Sequence, residues 1–230
     1  MRVDAFLECH QAVRRARALF FDFDGTLVDS NEIKWRAFEI CFSDFPERLA
    51  EIMRYCRQNP DISRGDKFRY IYETILGFSF NDEVETDLHR RFNDATIPQV
   101  IAAPEIPGVV RFLERVVHTH VTGILSSTPS AVVQHIVEAR GWRSHFAVIQ
   151  GAPVRKAEWL AAYQREHGLQ GQEVVYFGDT GQDARAARES NCVFIGVANP
   201  LLKKQKGRFV TDFRDLVPQE APMEIREGSR

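Results

Sequence analysis

Two short segments gather residues able to handle charge. Asp22-Phe23-Asp24-Gly25-Thr26 follows the apolar run Ala18-Leu19-Phe20-Phe21, and Gly178-Asp179-Thr180-Gly181-Gln182-Asp183 follows an apolar run at 174–177. A third run, 121–125, stops at Ser126-Ser127-Thr128-Pro129, and Arg155-Lys156 stands where a helix should open after a fourth run at 146–149. Carboxylates gathered in one crevice repel each other and cannot all ionise cheaply without a cation. A hard divalent ion resolves that, and magnesium is the usual one when substrate phosphate completes its shell. A carboxylate also serves as a nucleophile toward phosphorus. Hydroxyls at a helix start (Thr128 as cap, Pro129 in the first turn) beside an ammonium suit the equatorial oxygens of a phosphoryl group. Phosphoryl transfer needs positioning and charge neutralisation above all. Singly, each piece reads as ordinary punctuation: Asp-Gly-Thr as a turn, Ser-Ser-Thr-Pro as a helix start, a lone Lys as a solvated side chain. Their common placement after successive apolar runs argues for a site.

The elements that must position them follow from the same runs. With a fifth run at 192–197, they alternate with amphipathic segments at 109–117, 130–139, 156–167 and 183–189. Strands apolar on both faces and separated by helices predict an α/β fold, a doubly wound parallel sheet covered on both sides. Active sites of such sheets lie beyond the carboxyl ends of the strands. Between 31 and 103 the character changes. Only Gly65 and Gly77 fall there, with 11 of the 25 aromatic residues and Pro46, Pro60 and Pro98 as separators. Helices are expected at 32–43, 47–58, 66–76 and 82–94, with Ser63 and Asn81 as caps. The expected organisation is a core of 1–30 and 104–230 carrying an all-helical insert, 31–103, with 29–30 and 102–107 as hinges. The tail 218–230 is polar and expected to fray.

Composition excludes other classes. Lys plus Arg number 30 and Asp plus Glu 32, a formal charge of −2, so no basic field for nucleic acid exists. No apolar run approaches the roughly 20 residues of a membrane span. Cys9, Cys41, Cys56 and Cys192 form no zinc or disulfide spacing and are expected to be reduced and mostly buried, in keeping with a cytoplasmic location. The opening residues carry no secretory signal pattern. Neither GxGxxG nor a P-loop occurs.

On Asp22-Phe23-Asp24-Gly25-Thr26, which matches the DxDGT signature in full, the sequence resembles the haloacid dehalogenase-like hydrolases, the likeness covering the core. The resemblance implies Asp22 as nucleophile, Asp24 as general acid and then base, Ser126 as second-motif hydroxyl, Lys156 as third-motif lysine, and Asp179 and Asp183 as the acidic fourth motif. It implies magnesium held by Asp22, the Asp24 carbonyl and Asp179, with Asp183 direct or through water. Phosphate would meet Ser126, Ser127, Lys156, Gly25 and Thr26. The family lysine is commonly followed by Pro, whereas here the run is Arg155-Lys156-Ala157; Arg155 is the alternative cation. Asp24 argues against dehalogenases, which lack an acid there. The helical insert is similar to the cap of phosphoglycolate phosphatases and β-phosphoglucomutases. The expected activity is magnesium-dependent hydrolysis of a small phosphate monoester, such as a sugar phosphate, through an aspartyl-phosphate. A phosphomutase is the alternative, and a non-catalytic binding protein the alternative of another class. Specificity is expected in the insert. Asn31 is placed to face the leaving group. Arg64 and Lys67 are candidates for a second acidic or phosphate group, against the blander reading of solvation or pairing with Asp61 and Asp66.

Overall fold

The computed structural model describes residues 3–59, 62–203 and 207–217. Six parallel strands form one sheet: β1 (Ala18–Phe21), β2 (Val121–Pro129), β3 (Val148–Ala152), β4 (Val174–Gly178), β5 (Val193–Val197) and β6 (Arg208–Val210), in the order β3-β2-β1-β4-β5-β6. The order reverses beside β1, the switch point at which open α/β sheets bind ligands. Helices α1 (Val3–Arg15), α6 (Val109–Val116), α7 (Ser130–Ala139), α8 (Lys156–His167), α9 (Gly181–Glu189) and the short α10 (Pro200–Lys203) accompany it.

The alternation of strand side chains divides the core. Leu19, Phe21, Val175 and Phe177 join Val109, Phe112, Val133 and Ile136 of α6 and α7 in one apolar cluster. Ala18, Phe20, Val174 and Tyr176 join Leu160, Tyr163 and Ala187 of α8 and α9 in another. Successive residues therefore serve opposite faces, and both faces are dry, which is why these runs are continuously apolar. The sequence does not announce α1 or β6. Helix α1 lays Cys9 and Ala12 into the first cluster, joined by Ala16 just beyond its end.

Between β1 and β2 the chain passes through α2 (Asn31–Cys41), α3 (Leu49–Gln58), α4 (Arg64–Tyr70) and α5 (Asp82–Ala102). Phe38, Phe42, Ile52, Cys56, Phe68, Ile71, Leu88 and Phe92 form an apolar cluster of their own. Ser63 and Asn81 do cap α4 and α5, accepting from the Asp66 and Val84 N–H groups. Two expectations need correction. The helix expected at 66–76 is α4 continued by one π-helical turn, Ile71–Ile75. Pro98 does not separate elements but sits inside α5. Tertiary packing overrides its helix-breaking tendency: α5 gives Leu88 and Phe92 to the helical cluster and Val100 to the sheet cluster. Arg140 Nη1 also donates to the carbonyls of Val100, Ile101 and Ala103 at 3.0, 2.7 and 2.8 Å. Pro60 and the tail 218–230 lie outside the described residues. The two crossings run side by side, with Asp29 N–H donating to Pro104 O (3.0 Å) and Ile106 N–H to Leu27 O (3.0 Å).

Candidate active site

Register places the first carboxylate. Phe21 pairs with Ile124 on one side and Phe177 on the other. Asp22, one residue beyond, keeps the ladder through its N–H to Phe177 O (2.8 Å), so its side chain stands at the carboxyl edge between β2 and β4. A tight turn then closes: Gly25 N–H donates to Val28 O (2.8 Å), and Gly25 adopts φ +75°. A Cβ on Gly25 would lie 2.2 Å from Asp179 Oδ2 and 2.3 Å from Asn31 Nδ2. Glycine is thus required both by conformation and by the closeness of Asp179.

Oxygen atoms of Asp22, Asp179 and Asp183 all lie within 4.8 Å of one another, and all three residues are buried. Lys156 Nζ, at the first residue of α8, reaches Asp22 Oδ1 at 3.0 Å and Asp183 Oδ1 at 2.7 Å. Asp183 is enclosed. Thr180 caps α9 and donates to Asp183 Oδ2 from its N–H (3.1 Å) and hydroxyl (2.5 Å), while the Tyr176 hydroxyl stands 2.9 Å from Oδ1. Burial, then the neighbouring Asp183, raises the Asp179 carboxyl above its usual range, against the lowering effects of Asn31 and Lys156. Burial likewise raises Asp22; the Lys156 charge opposes this, and the other three carboxylates reinforce it. Lys156 resists deprotonation: burial disfavours its charge, but Asp183 and Asp22 more than compensate. One ammonium thus faces three buried carboxylates. The remaining negative charge and the oxygen-only donors fit a hard divalent cation.

Asp24 has a different environment. Ser30 Oγ donates to its Oδ1 (2.7 Å), and Thr128 Oγ1 donates to Oδ2 (3.0 Å). Lys34 Nζ donates to the same Oδ2 and to Thr128 Oγ1, the latter at 2.9 Å. Burial works against the charged form of Asp24, but the Lys34 charge and the hydrogen bonds of Lys34, Ser30 and Thr128 outweigh it, and its carboxyl is held below the usual range. Lys34 is one helical turn beyond Asn31 on α2, so one face of that helix reaches both acidic centres. The spacing was legible as an i, i+3 pair, but nothing in the sequence located its target.

Several expected contacts fall elsewhere. Thr128 is not a helix cap: it lies in β2, α7 starts at Ser130, and its hydroxyl serves Asp24 instead. Asn31 donates to Asp179 Oδ2 at 2.9 Å. The Gly25 N–H is spent within its turn, and Thr26, wholly buried, points its hydroxyl at Asp179 Oδ1 (3.4 Å). Ser126 is buried, its Oγ accepting from Thr128 N–H at 3.1 Å, whereas Ser127 is exposed. Arg155 turns outward and pairs with Glu158 at 2.9 Å, both side chains largely exposed; of the two basic neighbours, Lys156 is the one at the carboxylates. Lys67 is buried with its Nζ over the rings of Trp35 (5.5 Å) and Phe38 (5.6 Å), so it is not a solvated charge. Arg64 meets Asn93 and the face of Phe92 rather than Asp66; Asp61 lies outside the described residues. A cleft of about 380 Å³, lined by Gly25, Asp29, Asn31, Ile106, Asp179 and Asn199, opens beside the cluster.

A family model described as haloacid dehalogenase-like hydrolase matches residues 19–197, from β1 to the end of β5. The chain belongs to that family. The hydrolase is 27% identical over 189 residues to a phosphoglycolate phosphatase of Synechococcus elongatus, covering 79% of this chain and 83% of the relative. Two solved structures share its fold at low identity. A predicted phosphoglycolate phosphatase from Haemophilus somnus superposes with a TM-score of 0.69 at 17% identity, covering 88% of this chain and 96% of the other. A β-phosphoglucomutase from Clostridium difficile gives 0.69 at 18% identity, over 88% and 93%. The hydrolase has no helix, among its described residues, long and apolar enough to cross a membrane.

Proposed function

We propose that the hydrolase is a magnesium-dependent phosphatase of small phosphate monoesters, working through an aspartyl-phosphate on Asp22. In this reading, residues 31–103 act as a cap over a core of 1–30 and 104–230. The observation that carries it is Asp22 at the β1 edge, in contact with Lys156 and within one cluster with Asp179 and Asp183. Asp22 and Asp179 would hold the cation, with the Asp24 carbonyl; Asp183, whose oxygens already meet Lys156, Tyr176 and Thr180, would stand behind them. When bound, magnesium supplies charge neutralisation at the transferring phosphoryl oxygens.

The chain's own groups carry the steps. An Asp22 oxygen forms a bond to phosphorus while the ester P–O bond breaks, and the departing oxygen takes a proton from Asp24. Asp24, now a carboxylate, takes a proton from water as that water's oxygen attacks phosphorus and frees Asp22. Lys156 offsets charge on the transferring group and keeps Asp22 aimed; Ser126, and Ser127 on the exposed edge, are the hydroxyls available to phosphate. The environment of Asp24 described above favours its carboxylate, the form required in the second step. Withdrawal of Lys34 would favour the acid required in the first. Closure of the insert would exclude water during transfer.

Asp22→Asn should abolish phosphate release from p-nitrophenyl phosphate with magnesium while the circular dichroism spectrum stays native. Turnover near the parent level would overturn the nucleophile assignment. A phosphomutase would return isomerised product in place of stoichiometric free phosphate.

A further inference from the structure

The start of α2 directs its polar side chains away from its own backbone. Ser and Asn are favoured at helix N-termini because their side-chain oxygens accept from the first free N–H groups. Ser30 stands at the N-cap position of α2 and Asn31 is its first residue, yet no side-chain cap hydrogen bond forms there among the described residues. Both side chains serve carboxylates instead. Ser30 Oγ donates to Asp24 Oδ1 at 2.7 Å, and Asn31 Nδ2 donates to Asp179 Oδ2 at 2.9 Å. The helix forgoes its cap, and two carboxylates of the site gain a donor each.

Asp179 is the carboxylate that needs one. It is buried beside Asp22 and Asp183, with oxygens of all three within 4.8 Å of one another, and like charges so close drive each other apart. Lys156 pairs with Asp22 and Asp183. Thr26 Oγ1 stands at a long 3.4 Å from Asp179 Oδ1. The Asp179 main chain is held separately, by Asn199 Nδ2 donating to its carbonyl at 2.8 Å, which leaves the direction of the carboxylate to side-chain contacts. The cleft of about 380 Å³ that Asn31 and Asp179 both line gives that carboxylate room to turn.

We propose that Asn31 is a positioning residue for the cation site: its amide holds the Asp179 carboxylate within reach of Asp22 and Asp183, so the acidic cluster is set before a cation arrives. The inference rests on the magnesium reading and adds a residue of α2 to a site otherwise built from segments that follow the strands. A neutral amide suits the task, because it orients the carboxylate without cancelling the charge that attracts the metal. Removal of a donor behind a ligating carboxylate typically weakens metal binding about 10- to 100-fold.

Thermal melts followed by circular dichroism, with magnesium chloride titrated into metal-free protein, test it on the parent, Asn31→Ala and Asn31→Leu. A ligand bound by the folded state raises Tm once its concentration exceeds the dissociation constant, so a loss of affinity moves the onset along the magnesium axis by the same factor. Both variants should move that onset to about 10- to 100-fold higher magnesium. In assays with p-nitrophenyl phosphate, their deficit should narrow as magnesium is raised. A merely structural role would lower the metal-free Tm and leave the onset where it was. If the Tm of the parent does not respond to magnesium, the magnesium reading fails and this inference with it. If the parent responds and the onset in the folded variants lies within about threefold of its own, the inference alone is refuted. Asn31 is exposed, and Asn31→Ala decides the matter should the leucine variant fail to fold.

Discussion

Lys156→Met gives the most direct test of the electrostatic argument. The side chain is 8% exposed and makes two ion pairs, at 3.0 Å to Asp22 and 2.7 Å to Asp183. Methionine nearly preserves volume and removes only charge and donors. Removing one member of a buried ionic network typically costs about 3–5 kcal/mol, because the partners stay buried and unpaired. In a chain of this size each kcal/mol moves Tm by about 2–4 °C, so the variant should melt about 6–20 °C lower at neutral pH in a chelator. The deficit should depend on pH with a definite sign. Without the ammonium, Asp22 and Asp179 bind protons still more tightly when folded than when unfolded. Stability is then present at acid pH and lost as pH rises from the ordinary carboxylate range toward neutrality. Thermal melts followed by circular dichroism from pH 5 to 8, with chelator and with magnesium, read this out. Magnesium should recover part of the loss by replacing the missing positive charge. A melting point within two or three degrees of the parent across that range would refute the claim that Lys156 is what offsets this cluster.

The remaining expectations concern neighbouring parts of the same architecture. The parent protein without metal should itself lose stability as pH rises toward neutrality, since Asp22 and Asp179 are both raised in the fold; magnesium should flatten the profile, and an identical profile with and without it would refute cation binding there. Gly25→Ala should cut phosphatase activity at least tenfold, because the added methyl would collide with Asp179 Oδ2 at 2.2 Å in a left-handed turn; unimpaired kcat/KM would show that the turn adapts. Arg140→Ala should cost about 1.5–3 kcal/mol, the range for hydrogen bonds to a charged donor, by freeing the carbonyls at the end of α5. Hydrogen exchange should rise first at the 102–107 crossing, and unchanged protection there would remove Arg140 as its anchor.

The sheet was legible because both its faces are dry. A strand apolar at every position, such as Ala18–Phe21, has no polar side to blur its ends, so the carboxylate that follows marks the edge directly. Parallel order and the carboxyl-edge site followed from the alternation with helices. Local composition likewise determined the caps at Ser63 and Asn81, because a side chain bonding its own helix needs no distant partner.

What failed depends on contacts remote in sequence. Pro98 reads as a break, yet packing on both apolar clusters carries α5 through it. Thr128 reads as a cap until β2 extends and turns its hydroxyl to Asp24. Lys34 carries no mark in the sequence, and only the fold sets its ammonium on Asp24 and Thr128. The sequence by itself determined which residues could do chemistry and at which edge they stand, since those follow from residue type and strand period. Tertiary structure alone decided which charge answers which, because an electrostatic partner is chosen by distance and desolvation in space, and neither is written in spacing along the chain.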